Sequence, residues 1–500
     1  MSDKPINLEE RKAKLAAKLA AKEEAKIPPH IRLALATLPK LGKLLIEDGT
    51  IWRCHDNVWK SLDDGSGRRW LEVELEKQLH ETTFAKSNAK TIDEARRWIM
   101  RNPDIQKMNV PWDEHGKVVT MNEWLDHKSG ERGDMSPDLY ATRTLPYAYR
   151  PDAKCPKWMQ FLSDTNMDAE TINLLQEYAG MCLAFKRPKQ LAKALVLWGP
   201  KDTGKSVIVR VLTGMLGGRS INTPISQLEK THGTSEFICD DPWVLEEAFN
   251  QGKWQTSDLV KGIIEGARIP INVKNRRLTS RVYRGAVMWA TNHPPTFRES
   301  TTAIVERLIV VNMTRIFDAD NPTGVARMAA DDRVEDLAAY LLACNGEGIL
   351  AWAYDGLLRV SERGCYILPQ ATKDILHEIY ADSNMVLGFF ESGRVIFTPD
   401  TKVSASDFCA SFAMWWRAEK GEDMRVPSND SIMRNMKSLG RSDVAIGEDM
   451  RSHGKRFIGG IALAKDAIDD WNTARQSNAL AMKYSGLSES VDEVNRPWKK

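Results

Sequence analysis

The sequence predicts an α/β protein of more than one domain, and three observations carry that expectation. Strand and helix signals alternate through residues 166–317. The stretch "ALVLWGPKDTGKSVIVRVL" joins a buried strand to a helix through a glycine-bounded loop. The length, 500 residues, exceeds the roughly 250–300 at which single hydrophobic cores stop growing.

Composition narrows the class. Hydrophobic residues at 42% and charged residues at 28% are ordinary globular values, and no apolar run approaches the roughly 20 residues needed to cross a bilayer. The opening "MSDKPINLEERKAKLAAKLAAKEEAK" has no apolar centre for a signal peptide and is too acidic for a transit peptide, so the protein is expected to stay in the cytoplasm. The seven cysteines lie far apart, with no Cys/His pairing at zinc spacing. Reduced thiols and no structural metal are expected. A net charge of +2 decides nothing about nucleic acid, because strong local bias can hide inside it.

The elements follow in order. Residues 1–28 alternate Ala and Leu with Lys and Glu, the pattern of a charged, solvated helical arm, and "IPPH" stops it. Residues 29–110 read as a small α+β module, with two short strands about a His55-Asp56-Asn57 turn and a helix from Trp70 to His80. Residues 111–165 are rich in turn formers and end in "LPYAYRPDAKCPKW", a connector crossing between domains. Within it, Asp113-Glu114-His115 is a tight acidic and histidine cluster before a glycine turn, read as loop. Helical spacing of Ile172, Leu175, Ala179 and Leu183 opens the central domain at 166–317. A helical segment (318–382), a last module (383–475) and a polar, disordered tail (476–500) complete the chain.

Gly199-Pro200-Lys201-Asp202-Thr203-Gly204-Lys205-Ser206 is a full G-x-x-x-x-G-K-S match. Leu195 to Trp198 supply the strand before it, and Val207/Val211/Met215 with Ile208/Leu212 supply the helix after it. Glycines let backbone N–H groups turn toward phosphates, and the helix N-terminus adds partial positive charge. Lys205 is expected on the β- and γ-phosphates and Ser206 on Mg²⁺. "WVLEE" ends a short strand in Glu246 and Glu247, where a Mg²⁺-holding and a water-polarising carboxylate are needed. Asp240 and Asp241 of "FICDD" are the competing pair. A third strand, Gly285 to Ala290, ends in Thr291-Asn292, where the Asn292 amide can orient the attacking water.

From Lys261 to Arg284, seven cations stand against Glu265 alone, a local charge of +6. Alternation in "IPINV" and "LTSRVY" about "KNRR" predicts a hairpin whose tip, with Lys274, Arg276 and Arg277, can grip a phosphodiester backbone without reading sequence. The plain alternative is a solvated basic loop. Arg307 precedes a further strand and can either reach a neighbouring subunit's γ-phosphate or pair with a local acid. In the last module, "SASDFCASFAMWWRAEKG", "PSNDSIMRNMKSLG" and "MRSHGKRFIGGIAL" give helix, helix and a strand-turn-strand wing, with Ser428 as N-cap of the second helix. Arg434, Asn435 and Lys437 are then expected to face a duplex.

In this order "GPKDTGKS", "WVLEE", "VKGIIEGARIPINVKNR", "WATNHPP" and "AIVERL" resemble the superfamily 3 helicase domain of phage and plasmid primase-helicases and of the poxvirus-type primase-helicase. The resemblance covers roughly residues 110–470. It implies an α/β fold: an AAA+-like P-loop ATPase core with the small α+β N-terminal module, a helical connector and a C-terminal winged-helix-like domain. It further implies a ring, hexameric by analogy, that uses ATP and Mg²⁺ to move 3′-to-5′ on single-stranded and forked DNA. By motif match it puts Lys205 and Ser206 on nucleotide and metal, Glu246/Glu247 at the acidic motif, Asn292 at the sensor, Arg307 at the trans finger and Lys274 on the DNA hairpin. The sequence departs from the family at Glu306-Arg307, where a paired arginine is usual, which makes Arg315 a second finger candidate. It also has Glu265-Gly266 where the hairpin motif usually has paired glycines. The long primase domain of many relatives is expected to be missing, so a separate primase or polymerase is expected as partner, in a bacterial host cell. The expectation is thus a replicative helicase of a phage, plasmid or integrated element, with a DNA-binding initiator or remodelling ATPase as the alternative.

Overall fold

A computed structural model describes residues 27–62, 66–81, 89–184, 187–246, 258–274, 278–295, 302–318, 320–421, 425–438, 450–452, 455–469 and 495–497. The charged arm at 1–26, Glu247, Arg276 and Arg277 lie outside the described residues. The architecture is mixed α/β with a parallel sheet, as expected, and divides into two compact units, 1–149 and 150–500. No described helix is long and apolar enough to cross a membrane.

In the first unit, the prolines expected to end a helix also begin one. Helix α1 (Pro29–Thr37) carries proline at its first position, where the missing N–H has no partner to lose. Strands β1 (Leu44–Glu47), β2 (Thr50–His55) and β3 (Val58–Leu62) form an antiparallel meander. Asp56 and Asn57 both have positive φ, 48° and 65°, the geometry of the tight turn that matches strand twist. β1 escaped the sequence reading because "LLIE" is too short to show a period. Helices α2 (Ser66–Glu81) and α3 (Ala89–Ile99) pack with α1 through Leu33, Leu71, Leu75, Ala95 and Ile99, all fully buried.

The stretch expected to cross between domains is instead folded as far as Tyr149. It holds a small sheet of β4 (Val118–Val119), β5 (Trp124–Leu125) and β6 (Arg132–Gly133). Two carboxylates tie it down: buried Asp113 accepts from the backbone N–H of Thr142 at 2.8 Å, and half-buried Glu47 from the Trp112 indole N–H at 2.5 Å. Turn residues here build buried turns, which composition cannot distinguish from a linker. Asp113-Glu114-His115 sits in such a turn, with Asp113 at φ 53°.

The second unit opens with α4 (Pro156–Asp164) and α5 (Ala169–Leu183). Asp168 caps α5, accepting from the N–H of Thr171 at 2.6 Å. Its sheet comprises β7 (Ala194–Trp198), β8 (Trp243–Leu245), β11 (Val287–Thr291) and β12 (Leu308–Asn312) in the order β12-β7-β11-β8, all pairs parallel. Helix α6 (Lys205–Met215) follows β7, and α7 (Asp258–Glu265) leads into an antiparallel hairpin of β9 (Arg268–Ile271) and β10 (Thr279–Val282). Apart from the terminal Thr291 and Asn312, the sheet strands are apolar because both faces are covered, and Trp243, Trp289, Phe237 and Tyr283 fill the core in edge-to-face contacts.

The short α8 (Thr302–Val305) precedes β12, and α9 (Gly324–Asp331) follows it. Helix α10 (Leu337–Arg363) starts at an Asp336 cap and ends at Gly364, with φ 75°. It crosses α5 at close range, since a Cβ on Gly180 would lie 2.3 Å from the Leu357 nitrogen. Beside that crossing, buried Glu177 accepts from Arg359 at 2.9 Å and from Arg363. Helix α11 (Gln370–Ser383) packs on β12.

The last module runs α12 (Leu387–Glu391), β13 (Val395–Ser404), α13 (Ala405–Lys420), α14 (Asn429–Ser438), β14 (Met450–Ser452) and β15 (Lys455–Leu463). Its core is Phe389, Phe408, Phe412, Ile432 and Ile461. Ser428 caps α14, accepting from the N–H of Ser431 at 3.3 Å. Arg434 is exposed on α14, but Asn435 is buried, its backbone carbonyl accepting from the Asn384 side-chain amide at 3.1 Å and its own amide donating to the Ser431 carbonyl one turn back. Asn435 does not face outward, because it shares the inward face with Ile432 and Met436. In the tail expected to be disordered, β16 (Asn495–Pro497) pairs antiparallel with β13. This pairing satisfies an otherwise open strand edge; residues 476–494 lie outside the described residues.

Candidate functional site

Parallel pairing brings the carboxyl ends of β7, β8 and β11 to one edge of the sheet, and the segments leaving those ends line a cavity of about 770 Å³. Lys201 to Ser206 form one wall, Glu246 a second and Asn292 a third. The loop is built by its glycines. Gly199, at φ 153°, lies so close to β12 that a Cβ would meet the Met313 carbonyl oxygen at 1.9 Å, and Gly204 has φ 87°. Asp202 takes φ 62° and its carbonyl accepts from the N–H of Phe317 at 2.8 Å.

Lys205 is 7% exposed, its Nζ donating to the Gly199 carbonyl at 2.9 Å, to Pro200 and to the Thr203 hydroxyl. Burial holds its ammonium below the ordinary lysine value, opposed by the Asp202 carboxylate. A buried cation whose hydrogen-bond partners among the described residues are all neutral oxygens is suited to an incoming anion. Asn292 is set at its strand end by a Thr291 turn, in which Thr291 Oγ1 donates to the His293 carbonyl at 2.8 Å.

The competing acids are engaged elsewhere. Asp240 accepts from Arg281 at 2.5 Å and from the N–H of Arg284 at 2.7 Å, while Asp241 pairs with Arg219 at 3.3 Å. Asp240 thus anchors the foot of the β9-β10 hairpin, and neither Asp240 nor Asp241 lines the cavity. Lys274 is exposed at the far end of that hairpin.

Arg307 is not at the cavity. It stands before β12, where its carbonyl accepts from the N–H of Ala194 at the start of β7. The five residues of β7 separate it from the phosphate loop by roughly 17 Å at about 3.3 Å per residue. Its guanidinium pairs with Glu265 and donates to the Ala303 carbonyl. Of the two readings of Arg307, the local pair is therefore present within this chain. Arg315 is exposed and is not among the cavity residues.

Sequence reasoning missed the outer wall of the cavity: Phe161, Phe317, Arg210, Arg333 and Leu337. Phe161 stacks on Phe317 with centroids 6.4 Å apart. Arg210 sits one helical turn after Ser206 and pairs with Asp336 at 3.1 Å. Its i,i+4 spacing was the one available signal; the other residues come from distant segments.

Residues 11–166 match the family model described as D5 N terminal like. That match spans the first unit and α4, and it stops before the phosphate loop. No curated protein matches the chain. Three solved structures of the NrS-1 C-terminal region are similar to it. An A-form apo structure has a TM-score of 0.48 at 12% identity, covering 87% of this chain and 100% of that one. A second A-form apo structure, of residues 305–718, has a TM-score of 0.47, and a further apo structure of the same residues has 0.48, with the same identity and coverage.

Proposed function

We propose that the chain is an ATP-driven DNA helicase of the superfamily 3 type, acting as a ring in the replication of a phage, plasmid or integrated element. The observation that carries the reading is the convergence of Lys205, Ser206, Glu246 and Asn292 on one cavity while Arg307 stands at the opposite edge of the sheet. The strand order β12-β7-β11-β8 supports an AAA+-like core, and the N-terminal family match agrees with a primase-helicase relative.

The cavity fits a nucleoside triphosphate. Among the described residues its buried ammonium forms no ion pair, the Ser206 hydroxyl and Glu246 carboxylate supply the hard oxygen donors that Mg²⁺ requires, and the Phe161/Phe317 side offers apolar surface to a base. A bound Mg²⁺ would neutralise phosphate charge there. Lys205 then orients the β- and γ-phosphates, and Asn292 holds the attacking water near the γ-phosphate. Arg307 cannot reach the cavity of its own chain, so a finger role requires a second copy, hence an oligomer. Lys274 on the exposed hairpin grips the DNA backbone. In the last module, the order helix-strand-helix-helix-strand-strand, with β13 and β14 flanking β15, supports a winged-helix domain.

Displacement of a labelled strand from a 3′-tailed fork tests the reading. Wild type is expected to unwind with ATP. Lys205→Ala is expected to lose ATPase and unwinding together, and Lys274→Ala to lose unwinding while keeping most ATPase. DNA-dependent hydrolysis without displacement would replace the helicase reading with an initiator or remodelling ATPase.

A further inference from the structure

The charge cluster at the amino edge of the parallel sheet has a feature that the helicase reading does not use. Glu265 is the last residue of α7, and β9 of the basic hairpin begins three residues later. Its carboxylate holds Arg307 and lies 3.4 Å from Lys189. Glu265 and Arg307 are each less than one-fifth exposed, at 17% and 18%, so the pair is partly shielded from solvent and is stronger than a surface pair. Arg307 Nε is buried and makes no hydrogen bond among the described residues. Lys193 adds a further cation, donating to the Glu306 carbonyl. Among the described residues Glu265 is therefore the one carboxylate paired with Arg307, and it sits on the element from which the hairpin springs.

We infer that Glu265 couples DNA engagement to hydrolysis: it restrains Arg307 while the hairpin is empty and releases it to a neighbouring copy's triphosphate when DNA displaces the hairpin. This rests on the reading of Arg307 as a finger acting between copies. The physical basis is competition. Arg307 Nη2 is turned onto Glu265 and Nη1 onto the Ala303 carbonyl, so those donors must leave these partners to serve a phosphate of another copy, and the hairpin foot carries the carboxylate that holds one of them. Glu265 is thus a positioning residue that acts through Arg307.

The test measures ATPase of full-length protein with and without single-stranded DNA. Glu265→Gln, which keeps the side chain's shape and removes its charge, is expected to raise the DNA-free rate about fivefold or more, the low end of coupling between sites, and to abolish most DNA stimulation. Glu265→Asp is expected to restore the DNA dependence, and Glu265→Gln/Arg307→Ala to match Arg307→Ala alone. A lowered DNA-free rate in Glu265→Gln, or wild-type stimulation in it, overturns the inference. Mixing Lys205→Ala chains with Arg307→Ala chains separates the two claims. Restored ATPase in the mixture supports a finger acting between copies, so a normal Glu265→Gln then defeats the coupling alone. No restoration defeats the finger reading and the coupling with it.

Discussion

At the scale of single residues, the loop between β7 and α6 is tightly constrained by its glycines. Gly199→Ala is expected to lower the melting temperature, because its Cβ would drive into the Met313 carbonyl at 1.9 Å and neither backbone can yield; losses of roughly 2–4 kcal/mol are typical of such changes. Calorimetry checks it. Lys205→Ala removes the buried cation, and steady-state ATPase is expected to fall by about 10² or more, the scale of losing a charge-stabilising group. The thiols give a pH prediction. Burial pushes Cys155 up to about 11 and Cys409 up to about 12, whereas Cys344 and Cys365 are exposed. A thiol-alkylating reagent at pH 8 is expected to label Cys344 and Cys365 first, and the two buried thiols only on unfolding. Both are acids raised by folding, so their contribution to stability is fully present below the unfolded thiol value near 8.5 and is lost as pH climbs toward 11 and 12. Urea midpoints at pH 7.5, 9 and 10 are expected to fall in that order. The loop glycines, Lys205 and Ser206 were legible in the sequence because backbone geometry demands those residue types at that spacing. Phe161 and Phe317 were not, since an aromatic that lines a cavity looks like one that fills a core.

At the scale of elements, the α5–α10 crossing holds the parallel sheet against the long helix. Gly180 and Gly356 let the two backbones approach, a Cβ on Gly356 coming 2.3 Å from the Gln176 carbonyl oxygen. Glu177, 5% exposed at its side chain, neutralises Arg359 and Arg363 beside them. Glu177→Ala leaves two guanidinium groups without their common carboxylate and is expected to cost about 3 kcal/mol, with a shift in the urea midpoint as the readout. The hairpin was legible from its alternation and charge. What alternation could not tell was that the Arg281 guanidinium is committed to Asp240 at the hairpin foot, where the Arg284 backbone N–H also donates to that carboxylate, so that the basic run divides into a structural base and an exposed end. Asn435 carries the same lesson. Helical spacing put it on α14, but whether that face turns inward depended on what packs against it.

At the scale of the whole molecule, each of the two units has its own core, and in the first Trp112 and Tyr140 of residues 111–149 pack against Leu45, Trp59 and Val110. A fragment of residues 1–149 is expected to melt cooperatively by circular dichroism, whereas one ending at 110 is expected to lose cooperativity, because it lacks the strands and the Asp113–Thr142 tie. The sequence by itself determined the α/β class, the glycine-bounded loop between β7 and α6, the Glu246 and Asn292 strand ends and the basic hairpin. Each is a local pattern whose chemistry is written in consecutive residues. Only the tertiary structure decided that the connector is part of a folded unit, that Asp240 and Asp241 are structural, that aromatics from distant segments wall the cavity, and that Glu265 holds Arg307. Those are relations between segments far apart in the chain, set by strand order and helix crossing, and no window of sequence contains both partners.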